Sequence, residues 1–198
     1  MDQYIDNTKF QDVIKTAREL FWKHGIKRVS IEEICIEANV SKMTFYKFFP
    51  NKKKIAIYII SQIFDETLVK YRTLMAEDIP FEEKVKKQIL AKFEGTYEIS
   101  SEFVKDVYSD KKLGLAEYWN KRAGEFTLEV MNDYKEAQKQ GLIRQDLNID
   151  FIMVYNNKVV EMISDPNIAG MYKNTRDLIM EITNLFFYGI FPRNKKTE

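Results

Sequence analysis

The sequence predicts an all-α protein with a small three-helix head followed by a larger helical domain. Three observations predict it. Gly (7) and Pro (4) are scarce among 198 residues, which leaves few places for hairpins and tight turns. Apolar residues recur at three- and four-residue steps along the chain. Capping residues stand where those periodic segments begin and end: Ser30, Ser41 and Asn51 at starts, Gly25 and Gly141 at ends.

The first helix is expected over 10–24. Phe10, Val13, Ile14, Ala17, Leu20 and Phe21 share one face, and Gly25 supplies the C-terminal cap. "SIEE" opens the second, with Ser30 at the N-cap and Glu33 three residues on, a capping box. Ile31, Ile34, Cys35 and Ala38 follow on one face, and Asn39 ends it, because Asn tolerates the left-handed backbone. Ser41 caps a third short helix over 42–48, and Pro50 stops it. Helices this short do not stand alone, so the three must pack together. Two of them joined by a turn of about three residues form a helix-turn-helix. We place this head at 1–52 and a second domain at 53–198.

Longer helices follow. One is expected over 52–76, and one from near Pro80 to about 99. Another starts near Ser109 or Asp110 and runs to Gln140, with a break near Gly124, capped by Gly141. The last two are expected over 148–164, stopped before Pro166, and over 175–188, closed by Gly189. Ile149, Phe151, Ile152, Val154, Tyr155, Val159 and Met162 cover most of one circumference, and Leu178, Ile182, Leu185, Phe186 and Tyr188 most of the other. A helix apolar on nearly all sides needs cover on nearly all sides. A second copy of the chain, giving an intersubunit four-helix bundle through 148–164 and 175–188, supplies it; burial within one chain is the alternative.

Composition removes several functions. Cys35 is the only cysteine and His24 the only histidine, which leaves too few ligands for a His/Cys zinc site and one histidine for any triad. No catalytic residue, metal or cofactor is expected, and the chain is read as no enzyme. The polar start "MDQYIDNTK" lacks the apolar core of a signal peptide, and "IAIYIISQIF" is too short to span a bilayer. These features predict a cytoplasmic protein with no membrane partner. Residues 1–54 hold eleven Lys/Arg against seven Asp/Glu, a net +4, which leaves −3 for the remainder of a chain of net +1. A basic head on a mildly acidic body points a polyanion at the head alone.

The stretch "VSKMTFYKFFPNKKK" is where apolar bulk and charge alternate. On a wheel of ~100° per residue, Phe45 and Phe49 define the inward face of the third helix. Lys47 stands opposite, flanked by Met43 and Thr44; Tyr46 and Lys42 lie at one shoulder and Phe48 at the other. That outer face suits the DNA major groove, where lysine donates to guanine N7 and O6 and methyl groups meet thymine. Shoulder residues reach phosphates. An ordinary exposed face with snorkelling lysines is the alternative. After the Asn51 cap, Lys52, Lys53 and Lys54 occupy a first helical turn, where cations oppose the helix dipole by about 0.3–1 kcal/mol each. A docked phosphate offsets that cost. Ser30 offers a similar, smaller site, and Ser41 joins the phosphate set.

Residues 10–54 resemble the DNA-binding domain of the TetR family of bacterial transcriptional regulators. The pattern runs through Ala17, Leu20–Phe21, Gly25, Ser30–Ile31, Ile34, Ala38, Val40–Ser41, Thr44–Phe45–Tyr46, Phe49 and Lys52. Cys35, Asn39 and Met43 depart from it, where Ala, Gly and a small residue are usual. The resemblance implies that Met43, Thr44 and Lys47 read bases and that Ser30, Tyr46 and Lys52 hold phosphates. It implies double-stranded DNA as partner, a small effector in the larger domain, and a homodimer. Two recognition helices about one DNA turn apart, ~34–36 Å, would read a pseudo-palindrome. The expected function is thus a regulator, most often a repressor in this family, released by an apolar or aromatic effector. Candidate pocket residues are Phe93, Tyr97, Phe103, Tyr108, Trp119, Phe126, Met131 and Tyr155, although a stripe of this kind is more often plain core. A DNA-binding protein without an effector is the alternative, and a helical lipid or small-molecule carrier a further one.

Overall fold

A computed structural model describes residues 4–96, 100–108, 113–173 and 175–190. Among them ten helices follow one another: α1 (Thr8–His24), α2 (Ile31–Glu37), α3 (Lys42–Phe48), α4 (Lys52–Ala76), α5 (Phe81–Thr96), α6 (Ser101–Tyr108), α7 (Ala116–Lys139), α8 (Ile149–Ser164), α9 (Pro166–Ala169) and α10 (Thr175–Ile190). No strand occurs among the described residues. The chain divides into two compact units, residues 1–69 with 96–124, and residues 70–95 with 125–198.

The first unit is built on aromatic packing. Phe10 of α1 is fully buried, with the rings of Tyr4, Phe48, Phe49 and Tyr58 at 6.0, 5.3, 5.5 and 5.6 Å. Val13, Ala17 and Phe21 continue that face, and Ile34, Phe45, Ile55 and Ile59 close on it. Phe48, expected at a shoulder, is only 6% exposed. The inward face of α3 therefore holds three phenylalanines, because Tyr4 folds back over the outer edge of Phe48 at 5.2 Å.

The α2–turn–α3 geometry follows from its caps. Ser30 Oγ accepts from Glu33 N at 3.0 Å while the Glu33 carboxylate accepts from Ser30 N, completing the capping box. Asn39 takes φ 51°, in the left-handed region, and Val40 N donates to Cys35 O at 2.9 Å. That bond turns the chain so that Ser41 can cap α3 by accepting from Thr44 N.

The loop from Gly25 to Val29 is held from two sides. Gly25 has φ 81°, and a Cβ there would lie 2.9 Å from both Asp106 Oδ2 and Glu102 Cβ. Lys27 N donates to Asp106 Oδ2 at 2.7 Å. Lys52 Nζ donates to Lys27 O at 2.9 Å and Val29 O at 2.8 Å. Trp22 joins the same corner, with its ring 4.8 Å from Phe103 and its carbonyl accepting from Ser100 N.

The second unit has its own core of Val85, Tyr134, Ala137, Ile143, Ile149, Ile152 and Ile190. Tyr71 donates to Asp133 at 2.7 Å and Arg72 pairs with Glu129, which fixes the end of α4 against α7. Burial and then the Asp133 carboxylate push the Tyr71 phenol above its ordinary range. Gln138 Nε2 donates to Arg144 O and Leu147 O, shaping the loop from α7 to α8.

Three expected boundaries differ. The break falls at Gly114, with φ 59°, not at Gly124, which stays inside α7; α7 begins at Ala116, and α6 precedes it as a separate helix. The expected start near Ser109 or Asp110, like the stretch after Thr96, lies outside the described residues. Gly189 does not close α10. The helix is described to Ile190, and Arg144 meets carbonyls there, the backbone N–H on Ile190 O and Nη1 on Gly189 O.

On α8 and α10, Ile149, Ile152, Leu178 and Ile182 are buried. Phe151 is 61% exposed, Leu185 67% and Tyr188 76%, with Val154 exposed as well. Leu147, Phe151, Ile152, Tyr155, Leu185 and Phe186 line one shallow apolar groove there, where Tyr155 stacks on Phe186 at 5.7 Å.

Candidate nucleic-acid interface

Helix α3 is pinned from inside by Phe45, Phe48 and Phe49, so its other face is presented by default. Met43 stands out from it at 82% exposure, and Tyr46 and Lys47 are exposed beside it. Tyr46 is steadied by an edge contact with Phe45 at 5.6 Å. Thr44 is half-buried, its hydroxyl 2.9 Å from that of Ser41. The three residues expected to read bases and three of those expected to meet phosphates (Ser41, Lys42 and Tyr46) therefore share one short helix and its cap.

The charged members are held in three different ways. Lys42 pairs with Glu32 of α2 at 3.2 Å, both side chains well exposed, so the pair is worth little and opens readily. Lys47 Nζ lies 5.9 Å from the centre of the Tyr4 ring, a cation–π contact. Lys52 donates to two loop carbonyls, as above. Burial lowers its pKa, and the Asp106 charge draws it partly back. An ammonium has three donors, so one N–H of Lys52 is left over. The three lysines of "NKKK" thus do not share one explanation: Lys52 has a structural task, Lys54 N completes the Asn51 cap at 3.0 Å, and the Lys53 ammonium reaches Gly114.

Ser30 already accepts from Glu33 N, yet its hydroxyl proton remains for an outside acceptor. Cys35, beneath this surface, is 4% exposed. Burial pushes its thiol up, Lys42 pulls it partly back, and Glu32 adds to the rise. That environment suits packing and not nucleophilic chemistry. No group of His, Cys, Asp and Glu that could hold a metal occurs among the described residues. Nor is any described helix long and apolar enough to cross a membrane.

The candidate effector residues divide differently. Phe103 is buried on Trp22, and Trp119 meets Phe64 edge-on at 4.8 Å, both in the first unit. Phe126 meets Tyr71 at 5.4 Å, Met131 packs on the second core, and Tyr155 stacks on Phe186. Tyr97 and the side chains of Phe93 and Tyr108 lie outside the described residues.

Sequence reasoning did not single out Tyr4, Glu32 or Asp106. Glu32 is one helix away from its partner and could have been paired by charge. Asp106 is bonded to a residue 79 positions away, and no local pattern announces that.

Known proteins resemble the chain in the same places. Residues 13–59 match the family model described as bacterial regulatory proteins, tetR family. YerO, an uncharacterized HTH-type transcriptional regulator of Bacillus subtilis (strain 168), is 34% identical over 91 residues, 44% of this chain. The matched segment spans only 31% of YerO and 30% of a second such regulator, YuxN. The probable acrEF/envCD operon repressor of Escherichia coli (strain K12) is 23% identical over 188 residues, covering 89% of this chain and 86% of its own. Two solved structures share the fold. The fatty acid degradation regulator FadR of Bacillus halodurans superposes with TM-score 0.72 at 19% identity, over 91% of this chain and 95% of its own. FadR of Bacillus subtilis in complex with stearoyl-CoA gives 0.70 at 17%, over 91% and 99%. The helix-turn-helix with its capping box, the left-handed Asn39 and the matched segment agree: residues 13–59 are similar to the tetR-family head of bacterial regulatory proteins, and the chain shares the fold of the solved regulators.

Proposed function

We propose that the chain is a homodimeric DNA-binding transcriptional regulator, a repressor released by a small apolar effector. One observation carries the DNA half. Helix α3 and its C-cap bury Phe45, Phe48 and Phe49 and leave Met43 and Lys47 exposed with Thr44 half-exposed beside them, a single-helix face of the kind a major groove admits. In this reading Met43, Thr44 and Lys47 meet base edges, and Ser30, Ser41, Lys42, Tyr46 and Lys52 meet phosphates. Lys52 does so with its remaining N–H, from a position fixed by the loop carbonyls.

The dimer rests on the exposed apolar residues of α8 and α10, a face that a second copy would cover. Repression follows the similarity to the acrEF/envCD repressor. Because FadR of B. subtilis was solved with stearoyl-CoA, long acyl chains are the first effectors to screen. In this chain the effector would lie among the aromatic and Met residues beyond residue 55. It acts only through a difference in affinity between the DNA-binding and released states.

Selection of bound sequences from random DNA tests the reading, and a pseudo-palindrome is the expected result. Lys47→Ala should relax preference at one base position per half-site, whereas Lys52→Ala should weaken every sequence and flatten the salt dependence. Recovery of unrelated sequences, or unchanged preference in Lys47→Ala, would sink the base-reading role. A thermal-shift screen for a ligand that also dissociates the DNA complex tests the effector half.

A further inference from the structure

Lys47 and Tyr4 meet across the edge of the head, with the ammonium 5.9 Å from the ring centre. Tyr4 precedes α1, and the segment it sits in is fastened: Asn7 N donates to Tyr4 O at 2.9 Å, and Gln11 Nε2 to Ile5 O at 2.7 Å. Its ring meets Phe48 at 5.2 Å and Phe10 at 6.0 Å, and the ammonium of Lys47 stands 5.9 Å from its centre. One ring therefore touches two consecutive residues of α3, one turned inward and one turned outward.

We infer that Tyr4 is a positioning residue for base recognition, fixing where the Lys47 ammonium stands before DNA arrives. The inference rests on the base-reading role proposed for Lys47. A free lysine side chain loses much rotamer entropy when it is ordered on a base edge. Restricting it beforehand lowers that cost. A carboxylate partner would do so by occupying N–H donors and offsetting charge. An aromatic face attracts the cation through its quadrupole and ties up none of its N–H donors in a conventional hydrogen bond. Lys47 thus keeps both its charge and its donors for guanine N7 and O6. This steering, which leaves Lys47 its charge and its donors, gives Tyr4 a say in which base is read although it need not touch DNA.

The test compares Tyr4→Phe, Tyr4→Leu, Lys47→Ala and the double variant Tyr4→Leu/Lys47→Ala by selection from random DNA, with thermal unfolding of each. Tyr4→Leu keeps apolar contact with Phe48 and Phe10 but lacks a ring face. It should reduce discrimination about two- to fivefold, at the same base position that Lys47→Ala relaxes. Tyr4→Phe should restore it, and the double variant should be no worse than Lys47→Ala there. The ε-methylene protons of Lys47 should carry an upfield ring-current shift in the parent and Tyr4→Phe, and lose it in Tyr4→Leu. Two results overturn the inference while leaving the function intact. One is Tyr4→Leu with parental preference at that position. The other is Tyr4→Leu weakening all sequences equally in step with its melting temperature, the mark of a packing role. If Lys47→Ala itself changes no preference, the base-reading role fails and this inference falls with it.

Discussion

The N-terminal head and the α8/α10 pair are both rich in aromatic and aliphatic residues, but they spend them in opposite ways. In the head, Phe10, Phe21, Phe45 and Phe49 are fully buried, and the large apolar side chains left outside on the helix-turn-helix are few, Met43 foremost. On α8 and α10, Phe151, Val154, Leu185 and Tyr188 stay in solvent although the helices beneath them have a core. The difference teaches that the head's aromatic rings are spent on a closed core, completed by Phe103, Val107 and Leu115, whereas the C-terminal pair keeps part of its apolar surface exposed. A face that exposes this much apolar side chain is normally an interface.

Breaking the head at its centre should have the largest effect. Phe10→Ala removes a ring that meets four others and should cost about 3–5 kcal/mol in chemical denaturation. DNA binding should vanish with the fold of α1–α3. Leu185→Glu probes the other region. It should raise the dimer dissociation constant at least about a hundredfold in analytical ultracentrifugation, about 2.7 kcal/mol, while the helical circular dichroism of the monomer is retained. Unchanged association would mean that the exposed face is not the dimer seam, and the contrast between the regions would lose its explanation.

Gly25→Ala sharpens the account of the head. It combines left-handed backbone with close approach to Asp106 and Glu102, so a loss of about 1–3 kcal/mol is expected. A neutral result would show that the loop can shift away from α6. The smallest effect belongs to Ser30→Ala. Losing half of the capping box should cost about 1 kcal/mol, read as a modest fall in melting temperature. Weaker DNA binding beyond that loss of fold would point to the phosphate contact proposed for the same hydroxyl.

Much of the head was legible because its signals are local. Ser30 and Glu33 are three residues apart, Asn39 sits at the end of its own helix, and Phe45 and Phe49 share a face by spacing alone. Phe48 was misjudged for the opposite reason: the ring that buries it is Tyr4, outside any periodic segment. The same holds for Gly124 and Gly114. The break was expected near Gly124, yet it is Gly114 that takes a left-handed backbone, and glycine's tolerance does not say which will. Of the candidate interface, the outward identity of Met43, Thr44 and Lys47 follows from the wheel. What restrains Lys42, Lys47 and Lys52 does not, since Glu32, Tyr4 and the loop carbonyls are ten or more residues away.

The sequence by itself determined the three helices of the head, the turn between α2 and α3, and which face of α3 looks outward, because these depend on contacts within a few residues. Tertiary structure decided the rest. It decided that Lys52 would brace a loop, that Asp106 would reach Lys27, that Arg144 would meet the carbonyls of Gly189 and Ile190, and that Tyr4 would stand beside Lys47. Each of those joins groups distant along the chain, and only packing brings them within hydrogen-bond or ring-contact distance.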